Sequence, residues 1–433
     1  MSSNNHRWFL NQYEGGQGKA AIKELFFDQY ATEISETELH DRLHRYGFNP
    51  CAEILLRNNF CNLSEVHLNQ IDPCDFREQE LAFKAAALAT LPLLHHKFVE
   101  PRQQQSRDFD PIIGVSFTGL FDFFVNAFGV EWLRWWEAGR PHTFNIPSDY
   151  CKQVISILGE NPNDADIIVD AGLLFYQAEA MYLKRWRTCV QETVEEYCKR
   201  HGLREPNRCT TVQPAGSKSL LTGASSGWHP PKAQRFMRRM TFAKNDPVAK
   251  AAVAYGYSIV PSQSDKDEHG NLLNDPYDAR CTEWLVEVPV EVPWANLEGA
   301  DTIDIEKFSA LAQFNFYMQV QQHYSTHTTS ATLELTEEEI EPLASAIHQA
   351  IACDMGYISV ALLARFDAPF PRLPFEKIDR GTYLKEMAAV KQRNNGLSFE
   401  ENLLQLDDPE LGLQPQDAAC EGLICEMPSL PPH

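Results

Sequence analysis

Gly47-Phe48-Asn49-Pro50-Cys51-Ala52-Glu53-Ile54-Leu55-Leu56 is the stretch that decides how the rest of the chain is read. An amide, a thiol and a carboxylate alternate at Asn49, Cys51 and Glu53. In an extended segment, side chains at i, i+2 and i+4 share one face, so the three would point into the same space. Pro50 excludes a helix there and biases Asn49 towards extended backbone. A second thiol, Cys61, follows ten residues after the first. In a reducing compartment such a pair suggests redox or metal chemistry, and the alternative is two small buried residues.

The far end of the chain adds a second dithiol. Residues 417–433 carry Cys420 and Cys425 on an acidic, proline-rich stretch that reads as a flexible tail. Thiol–disulfide exchange needs access and direct sulfur–sulfur attack, which a mobile dithiol can give. A chance pair in a disordered end is the plain alternative.

Composition narrows the classes. The 433 residues carry a net charge of −22, with 43% hydrophobic and 23% charged residues. That is enough chain for a large enzyme fold or two to three domains. Such an acidic chain is not expected to track nucleic-acid backbones, which need clustered Lys and Arg. A bound nucleotide would have to meet a local site of backbone amides and a few cations. Eleven cysteines, an odd number without framework spacing or Cys-x2-Cys pairs, fit a reducing cytoplasm and give no zinc ribbon. No apolar run is long enough for a membrane span.

Further along, apolar periodicity predicts helices in residues 19–46, a strand over 61–70 and a buried helix over 78–96. Residues 111–124 begin as a short apolar strand, with Gly114 and Gly119 permitting close approach. Trp132, Trp135 and Trp136 are expected in the core of a helix. A long helix runs to His201, with Cys189 and Cys198 as core residues. Arg235, Arg238 and Arg239 read as helix-spaced, and 248–261 as strand material. Residues 284–293 alternate as a half-buried strand, and 303–323 are helical. Thr336 caps the next helix, and 356–363 form a further buried strand. His323 and His327 are expected to be structural rather than metal ligands, since no third ligand lies near in sequence.

Residues 210–231 hold a second motif. A strand leads into Pro214-Ala215-Gly216-Ser217-Lys218-Ser219, a turn of small residues. Small residues let backbone amides approach phosphate oxygens, and the hydroxyls and Lys218 add donors. The order is not that of a P-loop, and an ordinary small-residue turn is the alternative.

Together, the Asn-Pro-Cys-x-Glu loop, the strand Ile113-Gly114-Val115-x-x-Thr118-Gly119-Leu120, the run from Thr210 through Phe242 and the terminal cysteines resemble ribonucleotide reductases. The wording points to the adenosylcobalamin-dependent class and its monomeric triphosphate-reducing branch. The resemblance implies an α/β fold, the second half of a ten-stranded α/β barrel with a central finger loop. It divides the chain into a helical lead-in over 1–46, the barrel half over 47–395 and a tail over 396–433. It implies a thiyl radical on Cys51, generated with adenosylcobalamin. Glu53 would be the base for the ribose 3′-hydroxyl, Asn49 would bond the ribose, and Cys61 would be one of two reducing thiols. Cys420 and Cys425 would form a shuttle recharged by a thioredoxin-like protein. Ala215, Gly216, Ser217, Lys218 and Ser219 would hold the substrate phosphates. Apolar or small neighbours of Cys51 would shield the radical from water.

The sequence departs from the family in one large respect. Only 48 residues precede Asn49, where the family carries its other reducing cysteine, the first barrel half and the effector region. The expectation is an enzyme half that needs an N-terminal complement in trans. The alternative is a non-catalytic binding or assembly subunit that keeps the fold. Ala52 stands where the family usually has Gly.

Overall fold

The computed structural model describes residues 35, 47–56, 60–147, 154–157, 171–365 and 371–406. The helical lead-in and the tail cysteines Cys420 and Cys425 lie outside the described residues. The described part of the chain divides into two compact units, one of residues up to Gln234 with Val292–Asp367, the other of Arg235–Glu291 with residues from Ala368.

The first unit is built on parallel strands. β1 (Gly47–Phe48) and β2 (Leu55–Leu56) form a short antiparallel hairpin. β3 (Asn62–His67), β4 (Ile112–Thr118) and β5 (Arg208–Thr210) follow, parallel in the order β3-β4-β5. A single parallel bridge, Val212 to Thr329, links the extension of β5 to the segment leading into β9 (Thr332–Leu335), which pairs in parallel with β10 (Ala361–Ala364). No closed sheet forms among the described residues. The outer edges of β3 and β10 have no strand partner among them.

Between the strands run α1 (Phe76–Thr90), α2 (Pro101–Phe109), α3 (Leu120–Phe128), α4 (Val130–Glu137), the long α5 (Ala171–His201), α7 (Ala310–His323) and α8 (Ile340–Ala352). Their ends follow local chemistry. Asp75 caps α1 by accepting from the Glu78 amide at 2.9 Å. Ser309 caps α7 through the Ala312 amide. Lys199, Arg200 and His201 occupy the last turn of α5, where cations oppose the carbonyl end of the helix. The expected capping box at Thr336 is present, with Glu339 as its partner.

β4 is buried along its whole length because both of its faces are covered. Ile113, Val115 and Phe117 enter an aromatic core with Phe121, Phe124 and Trp186. Trp132, Trp135 and Trp136 are all fully buried there, as expected. Cys198 is buried, whereas Cys189 is only partly so. Inside this core, Arg140 forms a two-bond ion pair with Glu179, both side chains at 0% exposure.

The second unit is an antiparallel sheet in the order β11-β6-β8-β7, with β6 (Arg235–Ala243), β7 (Ser258–Pro261), β8 (Glu283–Glu291) and β11 (Phe375–Lys377). α6 (Pro247–Tyr255), α9 (Arg380–Arg393) and α10 (Phe399–Leu406) complete it.

Several sequence expectations need correction. Arg235, Arg238 and Arg239 lie on strand β6, not on a helix. Arg235 pairs with Glu291 and Arg239 with Glu287, across the β6–β8 ladder, so cross-strand charge pairing explains their presence. Arg238 covers the Phe375 ring at 4.0 Å. Residues 247–255 form helix α6, capped by Asp246 with Pro247 at its first position, and only Ser258–Pro261 is strand. β10 is exposed along its length, with Leu362 at 56% and Leu363 at 49%, rather than buried.

Candidate active site

The reactive stretch is a hairpin tip, not an extended run. The Asn49 amide proton goes to the Ile54 carbonyl at 3.2 Å, and the Ala52 amide to the Asn49 carbonyl at 2.9 Å. Ala52 takes a left-handed backbone with φ +59°. That conformation is costly for a residue with a Cβ and accounts for glycine being the easier residue there. The turn breaks the period of two that would align three side chains. Asn49 turns back, and its Oδ1 accepts from the Ile54 amide at 3.0 Å. Cys51 is exposed at the tip, and Pro50 beside it is exposed too, so the local neighbours do not bury the thiol. Glu53 is 4% exposed and Ile54 fully buried.

The base of the hairpin is bolted to the Gly114 face of the parallel sheet. The Glu53 carbonyl accepts from the Thr328 amide at 3.1 Å, and the Thr211 hydroxyl lies 2.7 Å from it. Ile54 reaches β4 at Gly114. A Cβ added at Gly114 would lie 2.4 Å from Leu63 Cδ2, 2.9 Å from Thr211 Cγ2 and 3.3 Å from Ile54 Cδ1. The close approach inferred for this glycine is therefore the seat of the loop. Glu53 Oε2 has no hydrogen-bond partner among the described residues.

Cys61 stands at the entrance to β3, partly buried. Burial first, and the Glu53 charge second, push its thiol up to about 12, against the opposing pull of Arg208. It is therefore a protonated thiol at neutral pH. His327 is buried, and its ring Nε2 donates to the Ile113 carbonyl at 2.9 Å. It acts as a strut between the Thr326–Thr329 segment and β4. Among the described residues, no group of three or more His, Cys, Asp or Glu side chains is placed to hold a metal ion.

The small-residue turn follows β5. Ala215 is left-handed with φ +51°, and its carbonyl accepts from the Ser219 amide at 3.1 Å. Gly216, Ser217 and Lys218 are exposed, while Ser219 is buried with its hydroxyl 3.3 Å from that of Ser226. The Lys218 ammonium donates to Gln213 Oε1 at 2.9 Å. The loop that follows is clamped to the start of α3. The Asp122 carboxylate accepts from the Ser225 amide and from the Trp294 indole at 2.6 and 2.9 Å. Gly119, with φ +74°, donates to the Ser225 carbonyl.

Several residues of this interior gave no signal in the sequence. Thr211 and Thr328 hold the loop, Ser116 Oγ accepts from the Gln213 amide at 3.0 Å, and Glu65 faces the same space from β3. They read as ordinary strand residues; the alternation of β3 and β4 could have placed Glu65 and Ser116 on the Gly114 face.

No family model matches the chain. It is 27% identical over 360 residues to the adenosylcobalamin-dependent ribonucleoside-triphosphate reductase of Lacticaseibacillus paracasei, covering 79% of this chain and 40% of that protein. It is 26% identical over 395 residues to the enzyme of the same name from Lactobacillus leichmannii, covering 88% and 45%. The chain is thus similar to adenosylcobalamin-dependent ribonucleoside-triphosphate reductases along most of its own length. It spans less than half the length of these reductases. A crystal structure of a B12-dependent, class II ribonucleotide reductase shares the fold, with a TM-score of 0.60 over 83% of this chain and 44% of the other, at 22% identity. No helix of the described residues is long and apolar enough to cross a membrane.

Proposed function

We propose that this chain is the catalytic C-terminal portion of a cobalamin-dependent ribonucleotide reductase, reducing ribonucleoside triphosphates with a partner that supplies the rest of the barrel. One observation carries the reading: a hairpin seated on the Gly114 face of a parallel sheet presents Cys51 at its tip, with the unpaired Glu53 oxygen and the Cys61 thiol beside its base.

The exposed Cys51 tip is open to a group approaching from outside the chain, which fits a cofactor that acts on this thiol. Adenosylcobalamin, when bound, supplies the one-electron chemistry that no side chain provides alone. Cys51, as a thiyl radical, takes the 3′ hydrogen of the ribose. Glu53 accepts the 3′-hydroxyl proton through its unpaired oxygen. The 2′-hydroxyl then leaves as water with one thiol proton, the second thiol hydrogen ends at C2′, and Cys51 and Glu53 finally return the hydrogen and the proton they took from the 3′ position. Two thiols give up two electrons and two protons and end as a disulfide. Cys61, kept protonated by its surroundings, is one of them, and the partner brings the other. Asn49 holds the loop through its Oδ1 and has its amide nitrogen left for the ribose. The turn from Ala215 to Ser219 takes the phosphates. Cys420 and Cys425 re-reduce the disulfide and are recharged by a thioredoxin-like protein.

The partner is a separate polypeptide or the rest of a longer product. The unpaired edges of β3 and β10, and the exposed Leu362 and Leu363, support an additional sheet contribution. Cover over Cys51 would come from the same source.

The test is formation of deoxyribonucleoside triphosphates with adenosylcobalamin and a dithiol, using the chain alone and with candidate N-terminal fragments. Turnover in the mixture, abolished by Cys51→Ala, is expected. Tight association without turnover in any mixture would leave an assembly subunit instead.

A further inference from the structure

The Glu65 side chain is 4% exposed, yet neither of its carboxylate oxygens has a hydrogen-bond partner among the described residues. Isolated buried carboxylates are costly, so such a group needs a ligand, a proton or a counter-ion. Its surroundings indicate which. Leu63 and Glu65 share a face of β3, and Leu63 meets the Gly114 face of β4. Glu65 is registered opposite Ser116, one pleat beyond Gly114, where the hairpin sits. Ser116 in turn holds Gln213, whose Oε1 takes the Lys218 ammonium. The other end of that amide, Nε2, is also buried without a partner. Ser116 and Gln213 thus connect the register position of Glu65 to Lys218 of the small-residue turn. His67 Nε2 lies 3.8 Å from Glu65 Oε1, and His67 Nδ1 is 2.7 Å from the Thr222 hydroxyl.

We infer that Glu65 is the protein ligand for a divalent cation carried in by the nucleotide polyphosphate. The inference rests on the substrate reading above. A bare carboxylate beside phosphates would repel them, and a shared magnesium ion reverses the sign of that contact. Magnesium keeps several waters and is commonly held by one or two carboxylates together with substrate phosphates, so a single Glu suffices. Gln213 Nε2 is left to donate to a phosphate oxygen, and Lys218 neutralises a second charge. Burial favours the neutral form of the Glu65 carboxyl, and the Lys218 charge opposes this.

The test is equilibrium binding of ATP to this chain in chelator and in magnesium, with manganese as a paramagnetic probe of the metal. The wild type should bind ATP about tenfold more tightly with the metal, and manganese should be immobilised only when ATP is present. Glu65→Gln should lose the metal effect and the immobilised manganese while still binding ATP in chelator. Glu65→Asp should recover part of both. ATP binding that is equal with and without metal, or a metal effect that survives in Glu65→Gln, would overturn the inference and leave the nucleotide site standing. A wild-type chain that binds ATP under neither condition, with an unchanged circular dichroism melt, would remove both the inference and the substrate reading.

Discussion

The Thr211 hydroxyl lies 2.7 Å from the Glu53 carbonyl and 2.9 Å from the Thr328 carbonyl, and donates to one or the other. A single strand side chain thus couples the reactive hairpin to the Thr326–Thr329 segment. Thr211→Val keeps the volume and removes the proton. The Glu53 carbonyl keeps its bond from the Thr328 amide, so the expected cost is about 1–2 kcal/mol. Urea unfolding gives that figure, and amide exchange over residues 47–56 should rise more than over β4. Unchanged exchange in the hairpin would mean the hydroxyl does not hold it.

Gly114→Ala tests the seat of the hairpin. The new methyl would meet Leu63, Thr211 and Ile54 at once, all in buried surroundings. Overpacking of this kind costs roughly 1–3 kcal/mol. Displacement of the hairpin through Ile54 should appear as faster amide exchange over residues 47–56 and, in a reconstituted enzyme, a fall in kcat larger than the rise in KM.

The Arg140–Glu179 pair makes a stability prediction far from the site. Glu179 also accepts from the Trp132 indole at 2.9 Å, and Arg140 sits over the Trp135 ring at 4.2 Å. Glu179→Ala would leave a buried guanidinium without its anion, at an expected cost of about 3–5 kcal/mol. Denaturant midpoints measure it. A loss below about 1 kcal/mol would show that the guanidinium finds another acceptor.

Two histidines, His327 buried and His229 partly buried, contribute to the pH dependence. Burial lowers His229 to about 4 and His327 to about 3, from an ordinary value near 6.5. His229 is held neutral by geometry as well, since its Nε2 accepts from the Thr332 amide at 3.0 Å. Above pH 6.5 both are neutral folded and unfolded, and contribute no slope. Below it the unfolded chain takes up protons that the folded chain refuses. Stability should therefore fall as pH drops from 6.5 towards 4, by about 1.4 kcal/mol per pH unit for each histidine. Urea titrations at pH 7 and pH 5 should show the loss, and His229→Gln should reduce the slope.

Cys61 should answer to Glu53. With the Glu53 charge removed by Glu53→Gln, the thiolate becomes easier to form and the thiol value falls from about 12. Alkylation of Cys61 at pH 9, followed by peptide mass spectrometry, should speed up by a factor of up to about ten. Cys51, exposed at the tip, should react first in both proteins.

Much of this was legible in the residues themselves. The apolar run at Ile112–Thr118, the aromatic helix after Phe128 and the Thr336 capping box each depend on neighbours in sequence, and periodicity or local hydrogen bonding gives them away. The motif Asn49-Pro50-Cys51-Ala52-Glu53 singled out a candidate loop for the same reason: its amide, thiol and carboxylate sit within five consecutive residues. Pairing across distance was not legible. Arg235 and Arg239 fit a helix or a strand equally by spacing, and only their register against Glu291 and Glu287 decides for the strand. The alternation of Asn49, Cys51 and Glu53 presumed extended backbone, whereas hydrogen bonds from Asn49 to Ile54 close a turn and send the three side chains to different surroundings. Glu65 carried no signal at all, because an acidic residue on a short strand is ordinary until its burial is known. The sequence by itself determined which groups are available and where helices and core strands begin. The tertiary structure alone decided which groups meet, since burial and long-range hydrogen bonds depend on segments more than a hundred residues apart, as Thr211 and Glu53 are.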